Sequence, residues 1–154
     1  MIYGSFSDRL GVRANRRLQR TYDGFQYQSI FRTRIGIENV ATATGRWSRN
    51  DEILEYQNAE GYFRNTTVGG AITGESLDLG VIDDPIKSRS ESMSEAVRNR
   101  TWEWLTDDFL PRFSDKGALV MILTRWNLDD PAGRLIKHYP GLRVLRYPAL
   151  AEQD

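Results

Sequence analysis

The sequence predicts an α/β fold built on a mostly parallel sheet. Three observations predict it. Leu77 to Ile82 is an apolar-rich run that ends in Asp83, Asp84 and Pro85. Ala118 to Leu123 is an uninterrupted apolar run that ends in Thr124 and Arg125; such runs belong to strands buried on both faces of a parallel sheet. The segments between and beyond them carry helical spacing and cap signals, so strands alternate with helices.

In chain order, Met1 to Phe6 is a short apolar and aromatic run and predicts a strand. Ser7 or Asp8 offers an N-cap for a helix to about Arg20. Leu10, Ala14 and Leu18 recur every four residues and make one face, while Arg13, Arg16, Arg17 and Arg20 crowd the rest. A phosphate-contacting surface is one reading of those arginines, and a solvated helix face is the plainer one. Gly24 to Phe31 predicts a short helix presenting Phe25, Tyr27 and Phe31. Thr33 to Glu52 has weak periodicity and reads as loop with a short strand. Within it Trp47 stands between Arg46 and Arg49, a trio suited to stacking on a base or to a half-buried Trp among surface charges.

Glu52 to Gly74 predicts a β-hairpin or meander, with Tyr62, Thr66, Val68 and Ile72 in strands on either side of tight turns. Gly69, Gly70 and Gly74 lack the spacing GxxxxGK followed by Ser or Thr, so they read as turn glycines and not as a phosphate-cradling loop.

The next strand carries Leu79, Val81 and Ile82 and stops at Pro85, which has no N–H for a ladder. Asp83 and Asp84 therefore fall at its carboxyl end, the edge where open α/β sheets bind ligands. Two neighbouring acids repel unless a positive charge is close, and a divalent cation suits them. A turn capped by Asp is the structural alternative. Ser88 to Ser94 reads as polar loop, and Ser92 with Glu95 has capping-box spacing. The helix expected there runs to about Leu110 with Val97, Thr101, Trp104, Leu105 and Phe109 on one side, and Pro111 ends it. After the apolar strand, Asp130 and Pro131 make an N-cap and first-turn pair opening a helix to about His138. Leu142 to Tyr147 is the last strand candidate, closed by Pro148. His138, the one histidine, sits near a helix C-terminus, where a cation is mildly favoured.

Composition narrows the possibilities. At 154 residues the chain is expected to be one domain or part of one. Four Trp, seven Tyr and six Phe spread along it argue against disorder. Net charge is zero, so bulk charge names no partner. Only three of the 21 basic residues are Lys; the arginine excess favours bidentate contact with phosphate or carboxylate. There is no Cys, which rules out disulfides and thiolate metal sites. No apolar run is long enough to cross a bilayer and no signal peptide opens the chain, from which a soluble protein of the cytoplasm is expected.

If the two core strands are parallel neighbours, their polar tips share one crevice. An acid pair beside a Thr and an Arg suits a metal-bound phosphate site. One carboxylate holds Mg²⁺ through its water shell, and the other orients or deprotonates a water. Thr124 can sense a terminal phosphate, and an arginine can offset charge developing in phosphoryl transfer.

The stretch GGAITGESLDLGVIDDPIK, the Arg-rich helix after it, and ALVMILTRWNLDDPAGRL together resemble the large terminase subunit of tailed bacteriophages and prophages. The similarity runs from YGSFS to RYPAL. The resemblance implies a P-loop NTPase-like three-layer sandwich with an additional catalytic acid, incomplete in this chain, plus a β-hairpin insertion. VIDDP would be the Walker B strand, with Asp83 binding Mg²⁺ and Asp84 at the place of the catalytic carboxylate, usually Glu in this class. LTRW would match the segment coupling hydrolysis to movement, with Thr124 and Arg125 at the strand tip. Arg98, Arg100 and Arg112 are the candidate arginine fingers. The implied cofactors are Mg²⁺ and ATP. The implied partners are double-stranded DNA, the portal protein, the small terminase subunit and further copies in a ring, in the cytoplasm of the bacterial host. No Walker A sequence occurs in the chain. Residues 1–154 are therefore expected to be the later part of an ATPase domain, without the nuclease domain, binding ATP weakly. The Walker A strand would lie between the LTRW strand and the one at 142–147. Its absence predicts a rearranged sheet, pairing with another chain, or an open strand edge.

Three alternatives remain. One is a two-metal nuclease using Asp83, Asp84 and other acids such as Asp78, Asp129 and Asp130. Another is a non-catalytic DNA- or protein-binding remnant. The third is a helicase-like motor, which the TRW and DD-x-A-G-R spacing disfavours.

Overall fold

In a computed structural model of the chain, residues 1–36 and 48–148 are described. Their architecture is α/β, with five strands in the order β2-β3-β1-β4-β5. The strands are β1 (Ile2–Ser5), β2 (Ile53–Glu55), β3 (Tyr62–Thr67), β4 (Leu77–Asp83) and β5 (Phe113–Ile122). β1 pairs in parallel with both β3 and β4, and β4 in parallel with β5; only β2 runs antiparallel, against β3. The expected hairpin is β2–β3. Its second strand pairs with β1 as an integral part of the sheet.

The pleat sends alternate residues to opposite faces, and the two apolar clusters divide accordingly. Ile2, Leu77 and Ile82 pack with Trp104, Leu105, Phe109 and Leu135 on one face. Tyr3 and Phe63 pack with Ala14, Leu18 and Tyr22 on the other. The first face is covered by helix α4 (Glu95–Glu103), the π-helical turn Trp104–Phe109 that continues it, and α5 (Pro131–His138). The second face is covered by α1 (Asp8–Asp23). Gly80 is the close-approach point: a Cβ there would lie 2.6 Å from Phe113 Cζ and 2.7 Å from Phe109 Cε1.

α1 covers only the β3–β1 half of its face. Over β4 and β5 that face holds Leu79, Val81, Ala118, Val120 and Ile122, in register across the pair. Leu79 is 36%, Val120 45% and Ile122 54% exposed. The run from Ala118 to Leu123 is thus not buried on both sides; only Leu119 and Met121 pack against the core. The outer edge of β5 has no strand partner among the described residues.

Other expectations shift. Residues 142–147 form no strand and are exposed throughout. Leu142 N–H turns back to Tyr139 O instead of to β5, so the segment has no ladder to join. Between Gly70 and β4 there is no strand; Ile72 is buried as a side-chain plug from a turn region. Ser88 to Ser94 is not loop: α3 (Arg89–Met93) occupies it, and Ser88 Oγ accepts from Glu91 N–H. The capping spacing that operates is Ser88 to Glu91, because Ser92 is buried with its hydroxyl on Arg89 O. α4 then starts after Ser94, which makes no side-chain cap bond. The short helix α2 (Phe25–Ile30) forms as expected. Trp47 and Arg46 lie outside the described residues. Arg49 is engaged, with Nε donating to Gln19 Oε1 and Nη2 paired with Asp23. Among the described residues no helix is long and apolar enough to cross a membrane.

Candidate functional site

The chain leaves the carboxyl end of β1 toward β2 and β3, and leaves β4 in the other direction toward β5. The gap between β1 and β4 is therefore the topological switch point of the sheet, where a crevice opens beyond the strand ends. Ser5 and Asp83 face each other in register at that point, and Asp83 is in register with Ile122 on the other side. The two polar tips, Asp83-Asp84 and Thr124-Arg125, emerge side by side from adjoining parallel strands.

Asp83 shares the pleat face of Tyr3 and Val81. Its Oδ2 accepts a 2.6 Å hydrogen bond from Tyr3 Oη. Burial, with that bond and the nearby carboxylate charge, pushes the Tyr3 phenol well above its usual range, so it remains a donor. Among the described residues no donor reaches the other Asp83 oxygen. Asp84 is the only described non-glycine residue with a left-handed backbone, at φ 43°. Asp tolerates this region better than most residues, at a cost on the order of 1 kcal/mol. The surroundings hold it there: Asp84 N–H donates to Ile122 O (2.9 Å) and Phe6 N–H donates to Asp84 O (3.3 Å). The backbone of Asp84 thus ties the tips of β1, β4 and β5 together.

Both carboxylates are half-buried, and among the described residues neither is in an ion pair with Lys or Arg. Two adjacent acids without a cation partner suit a divalent ion, the hard-oxygen chemistry of Mg²⁺. Among the described residues no group of three or more His, Cys, Asp or Glu gathers. Water or a ligand's own oxygens would have to complete such a shell.

Thr124 is exposed at the tip beyond β5. Arg125 turns away from the acid pair. Its Nε donates to Asp130 Oδ2 at 2.5 Å and its Nη2 to Leu128 O at 3.2 Å. Asp130, almost fully buried, also accepts from Gly133 N–H at 2.8 Å and so caps α5. The turn lies directly on that helix: a Cβ at Gly133 would fall 1.9 Å from Leu128 O. In this arrangement Arg125 sets the shape of the loop after β5.

The remaining acids do not join Asp83 and Asp84. Asp78 lies near the start of β4, at the opposite end of the strand, and accepts from Ser114 Oγ. Asp129 takes two arginines, Arg134 (2.6 Å) and Arg98 (3.3 Å). Hydrogen bonds from Arg134, then from Arg98, hold its carboxyl down at about 2. Arg98 Nη1 also donates to Ser92 O, and Arg134 Nη2 to Asn99 Oδ1. This clasp joins the loop after β5 to α3, α4 and α5, and it locks Arg98. Arg112 Nε donates to Asp108 O, and Arg100 is exposed.

Sequence reasoning missed Tyr3 and the Asp129 clasp. The alternation in Ile2-Tyr3 shows that Tyr3 opposes Ile2 in the pleat, but only register brings its hydroxyl to Asp83. Comparison with known protein families finds no matching family model, and comparison with curated proteins finds no match.

Proposed function

We propose that the chain is part of the ATP-hydrolysing DNA-packaging motor of a tailed phage or prophage, the large terminase subunit, with a P-loop NTPase-like sheet. Asp83 binds Mg²⁺ and Asp84 orients or deprotonates the attacking water. Thr124 meets the terminal phosphate, and Arg125 shapes the strand-tip loop that carries it. Double-stranded DNA, the portal protein, the small subunit and sister copies in a ring are the partners, in the host cytoplasm. The chain has no phosphate-cradling loop of its own and on this reading hydrolyses ATP negligibly alone.

The observation that supports the reading best is the juxtaposition at β4 and β5. The acid pair and the Thr-Arg tip leave the adjoining parallel strands β4 and β5 at the same end of the sheet, beside a β5 edge with no strand partner among the described residues and an exposed apolar half-face. A further parallel strand with its helix would cover both and would deliver a phosphate-binding loop to the same end. The scattered positions of Asp78, Asp129 and Asp130 give no comparable support to a two-metal nuclease.

The test is the reading frame upstream of Met1. It should continue into GxxxxGK followed by Ser or Thr. The product of the whole frame should hydrolyse Mg²⁺-ATP, with Asp84→Asn lowering turnover by about 100-fold or more, the scale of losing a general base. A frame without that sequence, or turnover that survives Asp84→Asn, would overturn the proposal.

A further inference from the structure

α1 carries five arginines, Arg9, Arg13, Arg16, Arg17 and Arg20, and all five are exposed. At about 100° per residue they fall within roughly 100° of arc, opposite the face on which Gly11, Asn15 and Gln19 are buried. Arg16 pairs with Asp51 at 2.6 Å. Among the described residues no acid pairs with Arg9, Arg13, Arg17 or Arg20. Like charges four apart weaken a helix, and Arg9–Arg13, Arg13–Arg17 and Arg16–Arg20 are three such pairs. The chain as a whole is neutral, so this concentration of one sign is local. From Arg9 to Arg20 the row spans about 16 Å; the four arginines outside the Asp51 pair stand about 5.5 Å apart on average, against one phosphate per about 3.4 Å along a DNA strand.

We infer that the outer face of α1 is a contact surface for the phosphate backbone of a nucleic-acid duplex. Every cation in the row is Arg, whose planar fork meets two phosphate oxygens at once. No aromatic side chain alternates with them along the row. A single-strand platform needs such rings for base stacking, so the row suits a regular backbone. The helix turns its apolar residues Ala14, Leu18 and Tyr22 inward against Tyr3 and Phe63. Leu10 and Val12, both half-buried, flank the row, too few to make the apolar face that a lipid interface needs. The contact reads charge and spacing, not base sequence.

The experiment is fluorescence anisotropy of the purified chain with a labelled mixed-sequence duplex, without nucleotide, across a salt series. The readout is therefore independent of the ATPase proposal. Binding at about 10⁻⁵ M in low salt is expected, with log K falling against log salt at a slope of about −3 to −4, for roughly four phosphates. The double variant Arg13→Gln/Arg17→Gln should flatten the slope by about 2 units with an unchanged circular dichroism spectrum and a melt no lower than the parent chain's. The control Arg146→Gln, in the exposed segment after α5, should leave the slope unchanged. Absence of binding in low salt, or a slope that the double variant leaves intact, overturns the inference. So does tighter binding to phosphatidylserine vesicles than to the duplex, which would assign the row to a membrane surface.

Discussion

Asp130→Ala separates what the loop after β5 owes to one side chain. Asp130 has two partners, Gly133 N–H at 2.8 Å and Arg125 Nε at 2.5 Å. Losing an N-cap of this type costs about 1 kcal/mol. The pair with Arg125 is partly solvated, because the arginine is 38% exposed, so it is discounted to about 0.5–1 kcal/mol. Together Asp130→Ala should lower stability by about 1.5–2 kcal/mol, or a fall of about 3–8 °C in Tm for a chain of this size. Asp130→Asn keeps an acceptor for Gly133 and gives up only the charge, so about 0.5–1 kcal/mol is expected. Urea denaturation followed by tryptophan fluorescence measures both, with unchanged m-values marking a simple stability effect. A loss below about 0.5 kcal/mol for Asp130→Ala, or equal losses for the two variants, would refute the assignment of Asp130 as both cap and arginine anchor.

Other outcomes follow from the packing and charge. Ile82→Ala, in the core just before the acid pair, should cost about 2–5 kcal/mol, whereas Val120→Thr on the uncovered half-face should cost less than about 1 kcal/mol; comparable losses in urea would mean that the half-face is covered. Gly80→Ala places a methyl against Phe109 and Phe113 and should cost about 1–3 kcal/mol through overpacking, read in the same assay. The Asp129 carboxyl should titrate near pH 2 by NMR, and Arg134→Gln should raise its midpoint toward the ordinary 3.8. Its folded pKa is depressed, so its contribution to stability is present above pH 3.8 and is lost as pH falls from there through about 2; a midpoint that Arg134→Gln leaves unmoved would dissociate the shift from that arginine.

Much of the secondary structure was legible because its signals are local. Asp130-Pro131 opens a helix that ends at His138, since the cap and the fixed proline φ act within one turn. Ile2–Ser5 and Leu77–Asp83 are strands where the apolar runs place them. The errors occur where two local solutions compete. Both Ser88–Glu91 and Ser92–Glu95 have capping spacing, and burial of Ser92 decided for the first. Residues 142–147 have apolar content enough for a strand, yet a strand also needs a paired edge, and this segment turns back on α5 instead.

The candidate site divides the same way. The sequence by itself determined that two acids end one apolar strand, that a Thr-Arg pair ends another, and that an arginine row lines one side of a helix, because the pleat and the helical turn are short-range rules. Tertiary structure alone decided that the two strands adjoin in parallel, that Tyr3 reaches Asp83, that Arg125 is spent on Asp130, and that half of one sheet face stays bare. Those outcomes depend on register and on which neighbour arrives to cover a surface, and contacts between residues distant in the chain are not encoded in any single stretch of it.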